Sequence, residues 1–394
     1  MSQENQNLMN DFVTQKVKDL PYSGIRKFFD VAAEMTDVVS LGVGEPDFFT
    51  PWHVREEAIY SLERRRTAYT SNAGLPALRE AIAHYMEERF KLCYNPKTQI
   101  VITVGVSEAI DIALRATLEP GDEVLIIEPC YVSYRACVLL ANGIPVSVPT
   151  YAENDFRVTA QDIESRITPR TKAIMLCYPS NPTGAIMKET DLKSICDLLS
   201  RHNILVISDE VYAELTYSGD EHFSIARFAE MYPKTLVLNG FSKAYAMTGW
   251  RLGYACGPKE LIAAMVKIHQ YVIMCAPTTA QLAGVEALTH GREGLDKMRK
   301  EYDMRRRFML EGFIRLGIDC FEPRGAFYLF PSIKKTGMSS DEFCTTLLTK
   351  KRLAIVPGTA FGESGEGFVR CSYAYSVPEL TEALCRLEDF LNEF

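Results

Sequence analysis

Long hydrophobic runs are missing from this chain of 394 residues. No apolar stretch reaches the roughly 20 residues that a membrane-spanning helix needs. The N-terminus, "MSQENQNLMNDF", is polar and lacks the charged-then-apolar order of a signal peptide. Blocks of positive charge are missing too: no run exceeds three residues, as in "RRR" at 64–66. With a formal net charge of −8, the chain is a poor match for nucleic acid or an anionic membrane. No C-x-x-C pair occurs among the 11 cysteines, and the six histidines do not cluster at metal-ligand spacing. Neither a disulfide framework nor a metal site is expected. The cysteines sit in apolar runs such as "AIMLCYP" and "RLGYACGP", as buried free thiols of a cytoplasmic protein do. A Walker A lysine motif and a G-x-S-x-G elbow are both absent. "LGVGEPD" begins G-x-G, but its context is not strand–turn–helix, so a dinucleotide fingerprint is excluded as well.

What is present is an alternation. From about residue 100 to 256, short apolar runs alternate with helical stretches: "QIVITVG", "DEVLIIEP", "IPVSVPTY", "TKAIMLCYP", "NILVISDEVY", "KTLVLNGFSK" and "RLGYACGP". Continuous β-rich runs separated by helices predict a mostly parallel sheet buried on both faces, an α/β fold. After about residue 258 the texture becomes long helices with the short strands "GAFYLFP" and "GFVRCSYA". The expected division is an N-terminal arm (1–45) joining a small C-terminal α+β domain (291–394), with a large domain (46–290) between them.

Open α/β sheets bind ligands outside the C-terminal ends of their strands. After "IVITV", a helix opens at Gly105-Val106-Ser107-Glu108, and a helix N-terminus favours a phosphate. After "AIMLC" comes "YPSNPTG" with Asn181, which alone supports only a turn. Asp209 follows "ILVIS" with Tyr212 three residues on; alone, such an acid can be a helix cap. Ser242 and Lys243 follow "LVLNG", and Arg251 opens the next run. One ligand uses all of these. It has a phosphate for the helix N-terminus, Ser242 and Arg251, and a ring nitrogen for Asp209. It has a phenolic oxygen for Asn181 and Tyr212, and an aldehyde for Lys243. That ligand is pyridoxal 5′-phosphate, whose enzymes pair a Schiff-base lysine with an acid on the ring nitrogen. A lysine beside Arg251 in a partly dry cleft is expected to have a lowered pKa.

The order "SNPTG", "SDEVY", "SKAYAMTGWRLG", "GAFYLFP" resembles the fold-type I pyridoxal-phosphate aminotransferases of class I/II. It resembles in particular the prokaryotic aspartate, aromatic and N-acetyl-diaminopimelate branch, from "SGIRKFFDVA" to the final helix. The resemblance implies catalytic roles for Lys243, Asp209 and Tyr131, with the Tyr131 ring of "EPCYVSY" stacked on the cofactor. Val106, Ser107, Glu108, Asn181, Tyr212, Ser242 and Arg251 complete the expected cofactor set, and Tyr69 of "YTSNAG" is expected to reach a neighbouring subunit's phosphate in a homodimer. Gly44 and Arg370 are expected at the substrate α-carboxylate, with Asn181 nearby. Ile25, Tyr22 and Phe327 are candidate apolar walls, and Arg26 and Arg64 to Arg66 candidate cations for a distal carboxylate. Glu108 is unusual, since a carboxylate beside a phosphate repels it. Its side chain is therefore expected to turn away and leave the binding to backbone N–H groups and Ser107. The implied reaction is ping-pong transfer of an amino group from an L-amino acid, aspartate or aromatic, to 2-oxoglutarate. A carbon–sulfur β-lyase and a cofactor-binding regulator are the alternatives carried with it; the regulator would need a DNA-binding domain ahead of the resemblance.

Overall fold

The computed structural model describes residues 12–22, 24 and 35–393. A short strand, β1 (Val39–Ser40), precedes a central sheet built from β2 (Ile100–Thr103), β3 (Glu123–Glu128), β4 (Ile144–Pro149), β5 (Thr171–Cys177), β6 (Leu205–Asp209), β7 (Thr235–Gly240) and β8 (Gly253–Cys256). Their spatial order is β2-β8-β7-β6-β5-β3-β4. The pairs β3–β4, β3–β5, β5–β6 and β6–β7 are parallel, whereas β8 runs antiparallel to both β2 and β7. The mostly parallel α/β sheet expected from the apolar runs is therefore present, with one reversed strand that those runs did not reveal.

Apart from the edge strand β4, which is only partly buried, both faces of this sheet are dry, which is why its strands read as unbroken apolar runs rather than alternating ones. Successive side chains on a strand point to opposite faces. Ile100 and Ile102 accordingly pack with Leu78, Ile82 and Met86 of the helix Pro76–Phe90. Val101 between them packs with Ala109, Ile112 and Ala113 of the helix Gly105–Thr117. In β3, Val124 and Ile126 join this second cluster, while Leu125 and Ile127 join a third with Leu192, Ile195 and Leu199 of the helix Glu189–Leu199.

The rest of the chain forms smaller sheets and long helices. After β9 (Tyr328–Leu329), β10 (Leu353–Ala354) pairs in parallel with β1, and β11 (Val356–Pro357), β12 (Val369–Ser372) and β9 form an antiparallel set in the order β11-β12-β9. The terminal helix Val377–Leu391 is set by a capping box, with Ser376 and Glu379 each satisfying the other's backbone N–H. It buries Leu380, Ala383, Leu384 and Leu387 at helical spacing. Among the described residues no helix is long and apolar enough to cross a membrane.

The reversed strand has a direct consequence for the site. The C-terminal ends of β2, β5, β6 and β7 lie at one edge of the sheet. Because β8 runs the other way, with Thr103 and Gly240 both opposite Gly253, its start lies at that same edge, and with it Arg251.

Candidate active site

A cavity of about 570 Å³ opens at this edge. Its lining comes from distant parts of the chain, among them Gly44, Ser107, Tyr131, Asn181, Asp209 and Lys243. Val106, Tyr212, Ser242, Arg251 and Arg370 line it as well.

Lys243 lies in the short helix Phe241–Ala244 that β7 feeds. Its Nζ donates to the Gly44 carbonyl at 2.6 Å and lies 5.9 Å from the Tyr212 ring and 5.7 Å from the Phe327 ring. Burial lowers its pKa to about 8, with Glu45 opposing the shift and Arg370 and Arg251 reinforcing it. The sequence pointed to Arg251 and a partly dry cleft as causes; of the two, desolvation is the larger. A pKa near 8 leaves about a quarter of the amine neutral at pH 7.5, against about 0.1% for an ordinary lysine.

Asp209 is the last residue of β6 and is buried. Its Oδ2 accepts from the Tyr134 hydroxyl at 2.6 Å and its Oδ1 from the Val211 N–H at 3.2 Å. Burial raises its pKa to about 6, although both hydrogen bonds act to lower it. The carboxylate is thus ionised at neutral pH but lacks a cationic hydrogen-bond partner in the protein itself.

The helix Gly105–Thr117 presents its N-terminus to the cavity with no side-chain cap, so its first N–H groups have no intrahelical acceptor. Backbones approach closely here. A Cβ on Gly253 would lie 2.6 Å from the Gly105 carbonyl carbon, and one on Gly105 would lie 2.5 Å from an Arg251 Nη. Glu108 does turn away: its Oε2 accepts from the Val104 N–H at 2.5 Å and its Oε1 lies 2.6 Å from His269 Nδ1.

Across the cavity, Arg370 on β12 is buried between the Tyr328 and Phe361 rings, 4.5 and 4.8 Å from their centroids. It donates to Asn181 Oδ1 at 2.9 Å and to the Gly42 carbonyl, and its Nε is buried without a partner. The hydroxyls of Tyr212 and Tyr328 are 2.8 Å apart.

Several anticipated residues lie elsewhere. Phe327 is fully buried and does not line the cavity, whereas its neighbour Tyr328 does. Phe327 falls in the turn just before β9 and packs against the Tyr302 ring, whereas Tyr328 opens the strand. Tyr69 is 80% exposed and Tyr22 95% exposed, both outside the lining. Arg64, Arg65 and Arg66 are also exposed and outside it, with Arg64 resting on the Tyr60 ring. Ile25 and Arg26 lie outside the described residues. Tyr134 and Tyr328 escaped the sequence reading. Tyr134 lies near the start of the helix Ser133–Leu140, with its ring edge-on to Tyr131 at 5.6 Å between centroids.

The family model described as "Aminotransferase class I and II" matches residues 36–387. The chain belongs to that family. It is an aminotransferase of the pyridoxal-phosphate fold-type I class, and its cofactor is pyridoxal 5′-phosphate. An "Aspartate aminotransferase" of Pyrococcus abyssi is 45% identical over 94% of this chain and 96% of that one. An "Aromatic-amino-acid aminotransferase 2" of Thermococcus litoralis is 43% identical over 94% and 96%. The solved structure of aspartate aminotransferase from Thermus thermophilus with maleate superposes with a TM-score of 0.92 at 38% identity, covering 96% of this chain and 99% of that one.

The cavity of this aminotransferase fits the cofactor on its own chemistry. It combines a partly neutral buried amine, a buried carboxylate without a cation and uncapped helix N–H groups. These suit an aldehyde, a ring nitrogen that takes a proton, and a phosphate.

Proposed function

We propose that this aminotransferase transfers the amino group of aspartate or an aromatic L-amino acid to 2-oxoglutarate in two successive half-reactions. The observation that carries the reading is the joint presence, in one cavity, of Lys243 at about pKa 8, buried Asp209 and buried Arg370. The names of the Pyrococcus and Thermococcus relatives supply the substrate classes.

Pyridoxal phosphate, when bound, supplies an aldehyde that takes up amino groups and a protonated ring that draws electrons from the amino acid's Cα. Lys243 would hold the cofactor through its aldehyde, and the same Nζ, when free, would take up the proton leaving the substrate's Cα. Its lowered pKa makes Nζ competent as a base near neutrality. The negative charge of Asp209 keeps the ring nitrogen protonated, since opposite charges favour both ionised forms. Asn181 and Tyr212 hold the phenolic oxygen, and the Tyr131 ring covers the cofactor's face. Ser242, Arg251, Ser107 and the N–H groups of Val106, Ser107 and Glu108 hold the phosphate. Arg370 forks onto the substrate α-carboxylate beside Gly44. Two of its five donors are engaged, which leaves Nε and two others for substrate.

The active unit in this reading is a homodimer. Tyr69 reaches the neighbour's phosphate from an exposed position, and Phe49, Trp52 and Tyr271 offer exposed apolar surface. A distal carboxylate is taken by Arg26 or by one of Arg64, Arg65 and Arg66, and a ring by Ile25 and neighbouring apolar walls. The large domain spans 46–290, with 1–45 joining a small domain at 291–394. Eleven free cysteines, six of them buried, suit a reducing cytoplasm. The test is a panel of amino donors with 2-oxoglutarate. Glutamate formation from aspartate or phenylalanine is expected, with parallel lines in double-reciprocal plots. Turnover only with other donors or acceptors would overturn the substrate assignment, and intersecting lines the two-half-reaction scheme.

A further inference from the structure

Beneath the uncapped helix N-terminus lies a buried pair that the reaction does not use. Glu108 sits in the first turn of the helix Gly105–Thr117. A first-turn carboxylate is ordinarily favourable, because it answers the positive end of the helix. Here the same end is needed for an anionic ligand, and a free carboxylate would compete for it or repel it. The chain binds the carboxylate at both oxygens. Oε2 takes the Val104 N–H and Oε1 contacts His269 Nδ1. His269 comes from the helix Lys259–Val272, packed alongside, and is 0% exposed. Its Nε2 is buried with no partner.

An unpartnered ring nitrogen in a dry interior is costly, and a leucine or methionine would fill the space without that cost. Retention of an imidazole there is accounted for by what Nδ1 does, which is to hold Glu108. Other contacts fix the same turn. Thr103 Oγ1 donates to the Gly105 carbonyl at 2.9 Å, and Gly253 packs against the Gly105–Val106 peptide so closely that no Cβ could fit. The Val104 N–H and the Gly105 carbonyl are thus both taken up internally, while the N–H groups of Val106 and Ser107 remain without an intrahelical acceptor.

We propose that Glu108 and His269 are a positioning pair that presets the turn at residues 104–107 and keeps the carboxylate out of the anion's seat, so that phosphate affinity depends on both. The proposal rests on the assignment of the cofactor phosphate to this helix N-terminus. Neither side chain touches the phosphate in this scheme; each acts through the turn.

The experiment measures dissociation constants of pyridoxal phosphate and of pyridoxal, which lacks the phosphate, with cofactor-free protein. It compares wild type with Glu108→Ala, His269→Leu, His269→Gln and the reference variants Ser242→Ala and Arg251→Gln. The expected result is that Glu108→Ala and His269→Leu weaken pyridoxal phosphate about tenfold, the size of one charge-assisted hydrogen bond, while pyridoxal changes less than about twofold. His269→Gln, whose amide can still donate to Glu108, retains most of the affinity. Tighter binding of pyridoxal phosphate by Glu108→Ala would mean that the carboxylate acts by repulsion, and would overturn the proposal. Equal losses for both ligands would do the same by showing general damage to the fold. If the reference variants lower the phosphate preference and Glu108→Ala does not, the positioning role fails alone. If none of the variants changes that preference, the phosphate assignment fails and the positioning role with it. Should Glu108→Ala not fold, Glu108→Gln with its neutral amide gives the same comparison.

Discussion

Replacing Asp209 by asparagine should stabilise the cofactor-free protein and weaken the loaded one. Burial raises the Asp209 pKa from 3.8 to about 6. Two units at about 1.4 kcal/mol each come to about 3 kcal/mol by which the folded, cofactor-free protein disfavours the ionised form. The sign follows from proton uptake. Between pH 3.8 and about 6 the folded state holds a proton that the unfolded state has released, so wild-type stability falls as pH rises through this window and stays lower above it. Asparagine does not titrate and escapes this loss. Its single amide oxygen can accept from the Val211 N–H while the amide NH2 donates to the Tyr134 hydroxyl, and these neutral bonds are weaker than those of a carboxylate, which removes about 1 kcal/mol of the gain. A net gain of about 2 kcal/mol is expected at pH 8, with about half of the pH-dependent gap already present at pH 5. Urea unfolding of the cofactor-free proteins at the two pH values measures it. With cofactor bound the sign should reverse, because in the proposed role of Asp209 the protonated ring nitrogen loses its carboxylate: affinity should drop about tenfold or more and turnover should largely vanish. A cofactor-free variant less stable than wild type at pH 8, or a stability gap that does not change with pH, would refute the reasoning.

Borohydride reduction of the loaded enzyme should fix the cofactor on the peptide containing Lys243, and mass spectrometry finding it on another lysine would displace Lys243 from its role. Arg370→Lys should lower kcat/KM for every amino donor by about 2–4 kcal/mol, since a lysine cannot make two parallel bonds to a carboxylate, while cofactor absorbance titrations stay unchanged. Gly44→Ala would bring a methyl to within 2.3 Å of the Tyr328 hydroxyl and should depress turnover. Adding Tyr328→Phe should restore part of it by making room, and no recovery would show that the clash is not the cause. Sedimentation of the active, loaded enzyme should give a dimer, and full activity in a monomer would contradict the role given to Tyr69.

The sheet was legible in the sequence because a strand buried on both faces leaves an unbroken apolar trace, as in "TLVLNG" and "AIMLC". The direction of β8 leaves no such trace, since "GYAC" reads equally well either way. Asp209, Asn181, Lys243 and Ser107 could be named because strand ends are visible as the points where apolar runs stop. Tyr134, Tyr328 and His269 could not. Each looks like an ordinary core residue in its own segment, and its significance lies in one atom facing a group 75, 116 or 161 positions away. The choice of Phe327 over Tyr328 failed for a related reason: Phe327 falls in the turn ahead of a two-residue strand, where no alternation declares an inner face.

The insertion of β8 between β2 and β7 also sets a schedule for synthesis. A ribosome delivers β2 at residues 100–103, but the strand that pairs with it arrives only at 253–256. Until then, "IVIT" has no partner in the finished sheet, and β7, once made, carries an open edge. Long-range pairings of this kind are slow to close, and an unpaired apolar edge is prone to aggregate. The nascent chain therefore carries its most vulnerable surface through the middle of translation. Arg251 emerges just ahead of β8, so the side chain proposed for the phosphate and the strand that seals the sheet are delivered together.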